Sequence, residues 1–219
     1  YSGGVVGGDG NILASEDSGE TWTRQNGIID TDTVWEASKS PYVVTGPISV
    51  EEGSTLTIEA GVEVKFNGNY SITVFGDMVA IGTSDKIISF DSYGSERWGY
   101  IKFGNSAIGL LDNNNAYTGG SILEYVKINN AGSSVLGDSD EGMAIYNTGS
   151  PILRRITISN APSGLFLQSG GGIVDDFDFV NVPNPINMQE SSASIKNCLI
   201  ENTNIAIQSN DFFSGSIEN

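Results

Sequence analysis

Apolar and polar positions recur in register along the second half of the chain. Four segments align: SILEYVKINNA from Ser121, PILRRITISNA from Pro151, GIVDDFDFVNV from Gly172 and ASIKNCLIENT from Ala193. The last three start 21 residues apart, whereas the first precedes the second by 30, with GSSVLGDSDEG as the expected insertion. Down the columns stand Leu123, Leu153, Val174 and Ile195, then Val126, Ile156, Phe177 and Cys198, then Ile128, Ile158, Phe179 and Ile200. All are apolar or cysteine, while the intervening Lys127, Thr157, Asp178 and Leu199 are mostly polar. This alternation predicts strands with one buried face. A second set of runs, MAIYN, GLFLQS, INMQES and IAIQSN, falls between them. Each repeat therefore holds at least two short strands and two turns, in too few residues for a strand plus a crossover helix. The pattern predicts an all-β chain wound as a parallel β-helix, with successive turns about 4.8 Å apart.

Stacked turns place equivalent residues over one another, so Asn130, Asn160, Asn181 and Asn202 are expected to form a side-chain ladder at a turn. A buried amide without partners costs about 1–3 kcal/mol, and a stack of like amides supplies partners. The first half agrees with the pattern: Ile48/Val50, Leu56/Ile58, Val62/Val64/Phe66, Ile72/Val74, Val79/Ile81, Ile88/Phe90 and Ile101/Phe103 alternate between turns rich in Gly, Asn, Asp and Ser. No segment of ten or more residues shows helical periodicity.

SPYVVTGPISVEEGSTLTIEAGVEVKF resembles the first coils of bacterial secreted right-handed parallel β-helix proteins of the pectate-lyase-like superfamily, and ILEYVKINNAG and ILRRITISNAP resemble their later repeats. The resemblance runs from about Thr31 to the end and implies a right-handed solenoid. It does not choose a function, since the superfamily includes lyases, hydrolases, adhesins and structural modules. At the front, SEDSGETW resembles the Asp-box of sialidase-like propellers, through Ser15, Asp17, Gly19 and Trp22. That resemblance implies a β-hairpin shaped by the first three residues, with Trp22 packed beneath. The expected organisation is residues 1–30 as an Asp-box hairpin, capping the solenoid or left from an upstream domain, and 31–219 as a parallel β-helix continuing beyond the chain end.

Composition narrows the partners. With 27 acidic residues, ten basic ones and no histidine, the formal charge is −17, which would repel nucleic-acid phosphates and anionic membrane surfaces. No run approaches eighteen apolar residues, so membrane insertion is not expected. Without an initiator Met or a basic-then-apolar leader, the sequence reads as a mature or excised piece. Cys198 cannot form an internal disulfide, and its inward column marks it as a small buried hydrophobe.

Candidate chemistry is sparse. Hydrolases of this fold need two carboxyl groups about 5–9.5 Å apart, and Asp175, Asp176 and Asp178 are the nearest set. Yet Glu124, Arg154, Asp175 and Lys196 alternate in sign up the stack and Arg155 precedes Asp176, a pattern that cross-rung pairing explains without catalysis. Lyases of the superfamily pair calcium with an Arg or Lys base, for which Lys65, Arg97, Lys102 and Arg154 are available without a lyase signature. Histidine's absence removes the commonest general base. Asp138, Asp140 and Glu141 in GDSDEG resemble part of a calcium loop, so calcium is the one expected cofactor; Asp9, Asp30 and Asp32 are weaker candidates. Trp98 and Tyr100 suit either sugar stacking or corner packing, Asn69 heads an acceptor sequon, and Thr55 and Thr57 are the one hint of an ice-binding array. The expected function is a non-enzymatic structural or adhesive module, serving as stalk, surface adhesin or filament subunit outside the cell or on its surface. Polysaccharide or neighbouring subunits are the expected partners, a homopolymer among the arrangements. A polysaccharide lyase or glycoside hydrolase is the alternative, and a carbohydrate- or ice-binding surface a third.

Overall fold

Each turn of chain gives one strand to each of three parallel sheets, always in the same order. The computed structural model describes residues 12–14, 21–133, 142–201, 203, 206–210 and 214–218, and there the chain is an all-β parallel solenoid of about 8 turns with a single 3-10 turn at Ala37–Lys39. Sheet 1 stacks Thr23, Tyr42, Val64, Phe90, Ile128, Ile158, Phe179 and Ile200 in register. Sheet 2 stacks Gly27, Ile48, Ile72, Ile101, Ile145, Leu165, Ile186 and Ile207. Sheet 3 stacks Trp35, Ile58, Ala80, Leu123, Leu153, Val174, Ile195 and Ile217. Their inward side chains merge into one apolar core along the axis, in which Trp98 lies flat on Phe66 with ring centroids 3.9 Å apart. Among the described residues no helix is long and apolar enough to cross a membrane.

The repeat read from the sequence is the rung spacing. Ile128 pairs with Ile158 and Ile158 with Phe179, offsets of 30 and 21. Ile128 to Ile145 spans seventeen positions where Ile158 to Leu165 spans seven, so the extra residues lie between sheets 1 and 2 of the fifth turn, in the stretch that holds GSSVLGDSDEG.

Three features correct or extend the sequence reading, each for a physical reason. First, the at least two strands read for each repeat are three, because Ile122–Asn129, Ile152–Ser159 and Ile173–Val180 bend in the middle and serve sheets 3 and 1 in succession. The bend is one left-handed residue per turn: Tyr125 (φ 51), Arg155 (φ 54), Asp176 (φ 60) and Asn197 (φ 50). Second, Asp77–Ile81 buries Met78 and Ala80, leaving Val79 and Ile81 half-buried outside. Met-Val-Ala-Ile is apolar on both faces, so the preceding turn decides the register. Gly76 fixes it, since a Cβ there would lie 2.2 Å from the Glu51 carbonyl oxygen and 2.3 Å from that of Ser54. Third, strand Thr21–Ile29 pairs antiparallel with Ile12–Ala14 and also parallel with Tyr42–Val50, so the first rung begins near Thr23, ahead of residue 31. Trp22 stacks on Tyr93 at 5.2 Å, with the Arg24 guanidinium 5.6 Å from its ring. Ser15, Asp17 and Gly19 lie outside the described residues.

One insertion forms structure of its own. Between sheets 2 and 3 of the fourth turn, Gly109–Leu111 and Tyr117–Gly120 form an antiparallel hairpin. It lies against the outer row of sheet 3, where Ile122 and Ile152 point away from the core yet are fully buried.

Candidate functional site

The bend between sheets 3 and 1 gathers a column of charged side chains. On its sheet 3 side, Glu124, Arg154, Asp175, Lys196 and Glu218 are register partners, so charge alternates over five consecutive rungs. Parallel rungs bring such pairs within reach, and opposite signs on neighbours are favourable. Glu124 is 8% exposed and holds two arginines: Arg154 donates from Nη2 at 2.8 Å and Arg155 from Nη1 to the other carboxylate oxygen. Lys196 reaches Glu218 at 3.4 Å, and Asn197 donates to Asp175 at 2.8 Å.

Beside this column runs the left-handed row of Tyr125, Arg155 and Asp176. Tyr and Arg tolerate that conformation less well than Asn or Asp, at a cost of about 1–2 kcal/mol each. Mutual contacts offset part of it, since the Arg155 guanidinium sits 5.2 Å from the Tyr125 ring centroid and its Nε lies 4.0 Å from Asp176. Between this row and the outward Lys127, Thr157 and Asp178 of sheet 1 lies a groove of about 220 Å³. Lys127 and Asp178 are exposed and two rungs apart, with Thr157 between them. Asp176 and Asp178, drawn together by the sequence, thus share the groove, whereas Asp175 faces the charge column.

At the corner between sheets 1 and 2 stand Asn130, Asn160 and Asn181, the members of the expected asparagine ladder that fall within the described residues. Asn130, Asn160 and Asn181 are all left-handed, with φ of 53°, 53° and 56°, and none is buried. Asn is favoured there because its side chain tolerates φ > 0. Asn181 Nδ2 donates to Asn160 Oδ1 at 3.1 Å, but Asn160 then donates to Asn129 Oδ1 at 2.8 Å rather than to Asn130. Asn129 and Asn130 both donate to Asp91 Oδ1, at 3.1 and 3.0 Å, and Lys65 Nζ stands 3.6 Å from Asp91 Oδ2. The chain of bonds therefore crosses from the corner to the outward row of sheet 1. Asn202 lies outside the described residues.

The four cations offered by the sequence as a lyase base are engaged elsewhere. Lys65 faces Asp91, and Arg97 donates to the carbonyls of Ala131 and Asn160. Lys102 Nζ sits 4.5 Å from the Tyr146 ring centroid, and Arg154 is bound to Glu124. Trp98 is not a sugar platform: it is wholly buried and donates from Nε1 to the Asn129 carbonyl at 2.8 Å. Tyr100 packs edge-on against Tyr146. Outward along sheet 3, Thr57 has Val34 and Val79 as register partners, so threonines form no array there. Burial pushes the Cys198 thiol from about 9 up to about 11, which keeps it protonated and unreactive. Asp138, Asp140 and Glu141 lie outside the described residues. Among the described residues no three Asp, Glu or Cys side chains come together as a metal-binding group.

Two participants escaped the sequence reading. Asp91 and Asn129 sit at the centre of the corner network, yet in their segments they look like ordinary turn polars. The available signal was Asn129 standing next to Asn130, in the one aligned segment with two consecutive asparagines.

No family model matches the chain, and no solved structure matches it. A stretch of 58 residues is 38% identical to Protein bark beetle of Drosophila melanogaster, covering 26% of this chain and 2% of that protein's length.

Proposed function

We propose that this chain is a non-enzymatic structural or adhesive β-solenoid module acting outside the cell or on its surface, as a stalk, adhesin or filament segment. The observation that carries this reading is the engagement of Lys65, Arg97, Lys102 and Arg154 in ion pairs, carbonyl bonds and ring contacts that tie neighbouring rungs together. A catalytic base must instead be free to meet a substrate proton at about 2.6–3.2 Å. Eight rungs at about 4.8 Å give a rod roughly 34 Å long, with side chains on three faces available to a partner. A polysaccharide surface or a neighbouring subunit is the partner class that suits such a shape, and its long repeated faces favour many weak contacts over one deep pocket.

A second reading, a polysaccharide-cleaving enzyme, draws on the groove that holds Asp176, Asp178 and Lys127. Incubating the purified chain with acidic and neutral polysaccharides, with and without calcium, separates the two. The structural reading expects sedimentation with some polymer or self-association, without new reducing ends or unsaturated products. Chain cleavage that disappears in Asp178→Asn would replace it with the enzymatic one.

A further inference from the structure

Of the chain's twenty asparagines, Asn69 alone heads an Asn-x-Ser/Thr sequence, Asn69-Tyr70-Ser71. Register fixes where this tripeptide falls. In the second turn Val44 and Ile48 are four positions apart, whereas their partners in the third, Phe66 and Ile72, are six apart. The paired strands cannot absorb two extra residues, so the 67–71 corner must stand out from the solenoid surface. The corner it overhangs is the short Thr45-Gly46-Pro47, which leaves room alongside.

The base of this bulge is pinned and its tip is free. Asn67 N donates to the Val44 carbonyl at 2.9 Å, Gly99 N to the Tyr70 carbonyl at 3.0 Å, and Tyr100 N to Ser71 Oγ at 3.2 Å. Tyr70 packs half-buried against the core. Asn69 is exposed and makes no hydrogen bond among the described residues, unlike Asn160 and Asn181, whose amides are bonded to other rungs. A large adduct on Asn69 Nδ2 would point into solvent without disturbing the core or any rung-to-rung bond.

We infer that Asn69 is a site of N-linked glycosylation. The inference rests on the extracellular reading above, because only a secretory route brings the chain to the glycosyl transferase. The donor class is a lipid-pyrophosphate-linked oligosaccharide. Asn69 Nδ2 bonds to C1 of the first sugar, the C1–O bond to pyrophosphate breaks, the lipid pyrophosphate leaves and one amide proton is lost. In the folded chain Ser71 Oγ already accepts from Tyr100 N, so the transferase reads that hydroxyl before the third and fourth turns close. The glycan then stands at the corner between sheets 1 and 2, away from the charged bend between sheets 3 and 1.

The test supplies a secretory signal peptide, so it does not depend on where the natural protein resides. The chain is expressed in glycosylating animal cells, and the protein in the lumen and the medium is digested and mapped by mass spectrometry, with and without peptide N-glycosidase. The expected result is a hexosamine-bearing Tyr70-containing peptide whose Asn69 becomes Asp on enzymatic release, absent from Asn69→Gln and from Ser71→Ala. Asn69→Gln should keep the parent's melting temperature within about 2 °C, since Asn69 makes no hydrogen bond among the described residues, whereas Ser71→Ala loses the bond from Tyr100 N and should melt about 2–4 °C lower while still folding. Unmodified Asn69 in lumenal or secreted protein would overturn the inference and leave the structural reading untouched. Failure of that reading would show instead as a natural protein confined to the cytosol.

Discussion

Ile156→Ala tests the core at its middle. Ile156 is 1% exposed and sits in register between Val126 and Phe177 on the inner face of sheet 1. The change removes three carbons, worth about 2.4 kcal/mol at about 0.8 kcal/mol each. A rung cannot slide inward without breaking its hydrogen bonds to the rungs above and below, so little of the void closes. A residual cavity of roughly 80 Å³ at about 24 cal/mol per Å³ adds about 2 kcal/mol, for a total near 4 kcal/mol. Urea denaturation followed by far-ultraviolet circular dichroism reads this as a lower midpoint at unchanged slope. Thr157→Ala, one residue on and facing outward, is the internal control and should change stability by no more than about 0.5 kcal/mol. Equal effects at 156 and 157, or a loss below about 1 kcal/mol at 156, would refute the assignment of inner and outer faces.

Other consequences are narrower. Asn160→Ala should cost about 1–2 kcal/mol, and Asn160→Gly less, because glycine keeps the left-handed corner while both lose the amide bonds; a reversed order in urea melts would remove the conformational explanation. Glu124→Ala leaves Arg154 and Arg155 without their shared carboxylate and should cost about 3 kcal/mol, whereas truncating the exposed Lys127 should be nearly neutral by the same assay. The Cys198 thiol, held near 11 by burial, should resist iodoacetamide at pH 8 and react once the chain is unfolded. Its folded value lies above its unfolded one, so the stability it contributes is complete below about pH 9 and is lost as pH rises toward 11. An alkaline melt of Cys198→Ala should therefore be flatter over that interval than that of the parent.

The repeat and inner columns were legible because a solenoid repeats its environment, so Leu153, Val174 and Ile195 report the same buried position three times over. The third sheet was hidden by its own economy. In Ile152–Ser159 the inward residues are Leu153, Ile156 and Ile158, and the three-residue step from 153 to 156 is the trace of the bend at Arg155. A period-2 reading passes over that step. The inward face of Asp77–Ile81 was illegible because both faces are apolar, and the deciding contact, Gly76 against the carbonyls of Glu51 and Ser54, joins residues more than twenty positions apart. The groove combines Lys127, Thr157 and Asp178 from one row with Tyr125, Arg155 and Asp176 from another. The first row was visible as a column, and of the second only the Arg155–Asp176 pair, but their adjacency depends on the bend.

Equivalent residues in successive turns lie one above another, and both the fold and the site follow from that stacking. Glu63, Ser89, Lys127, Thr157, Asp178 and Leu199 form one outward column of sheet 1 and are register partners in that order. Nitroxide labels on cysteines placed at Glu63 and, in turn, at Lys127, Thr157, Asp178 and Leu199, in a Cys198→Ala background, measure it by electron paramagnetic resonance. Stacking predicts backbone separations of about 10, 14, 19 and 24 Å, rising by about 4.8 Å per turn. Distances that fail to rise in that order, or a 63-to-199 separation well beyond about 35 Å, would contradict the solenoid itself.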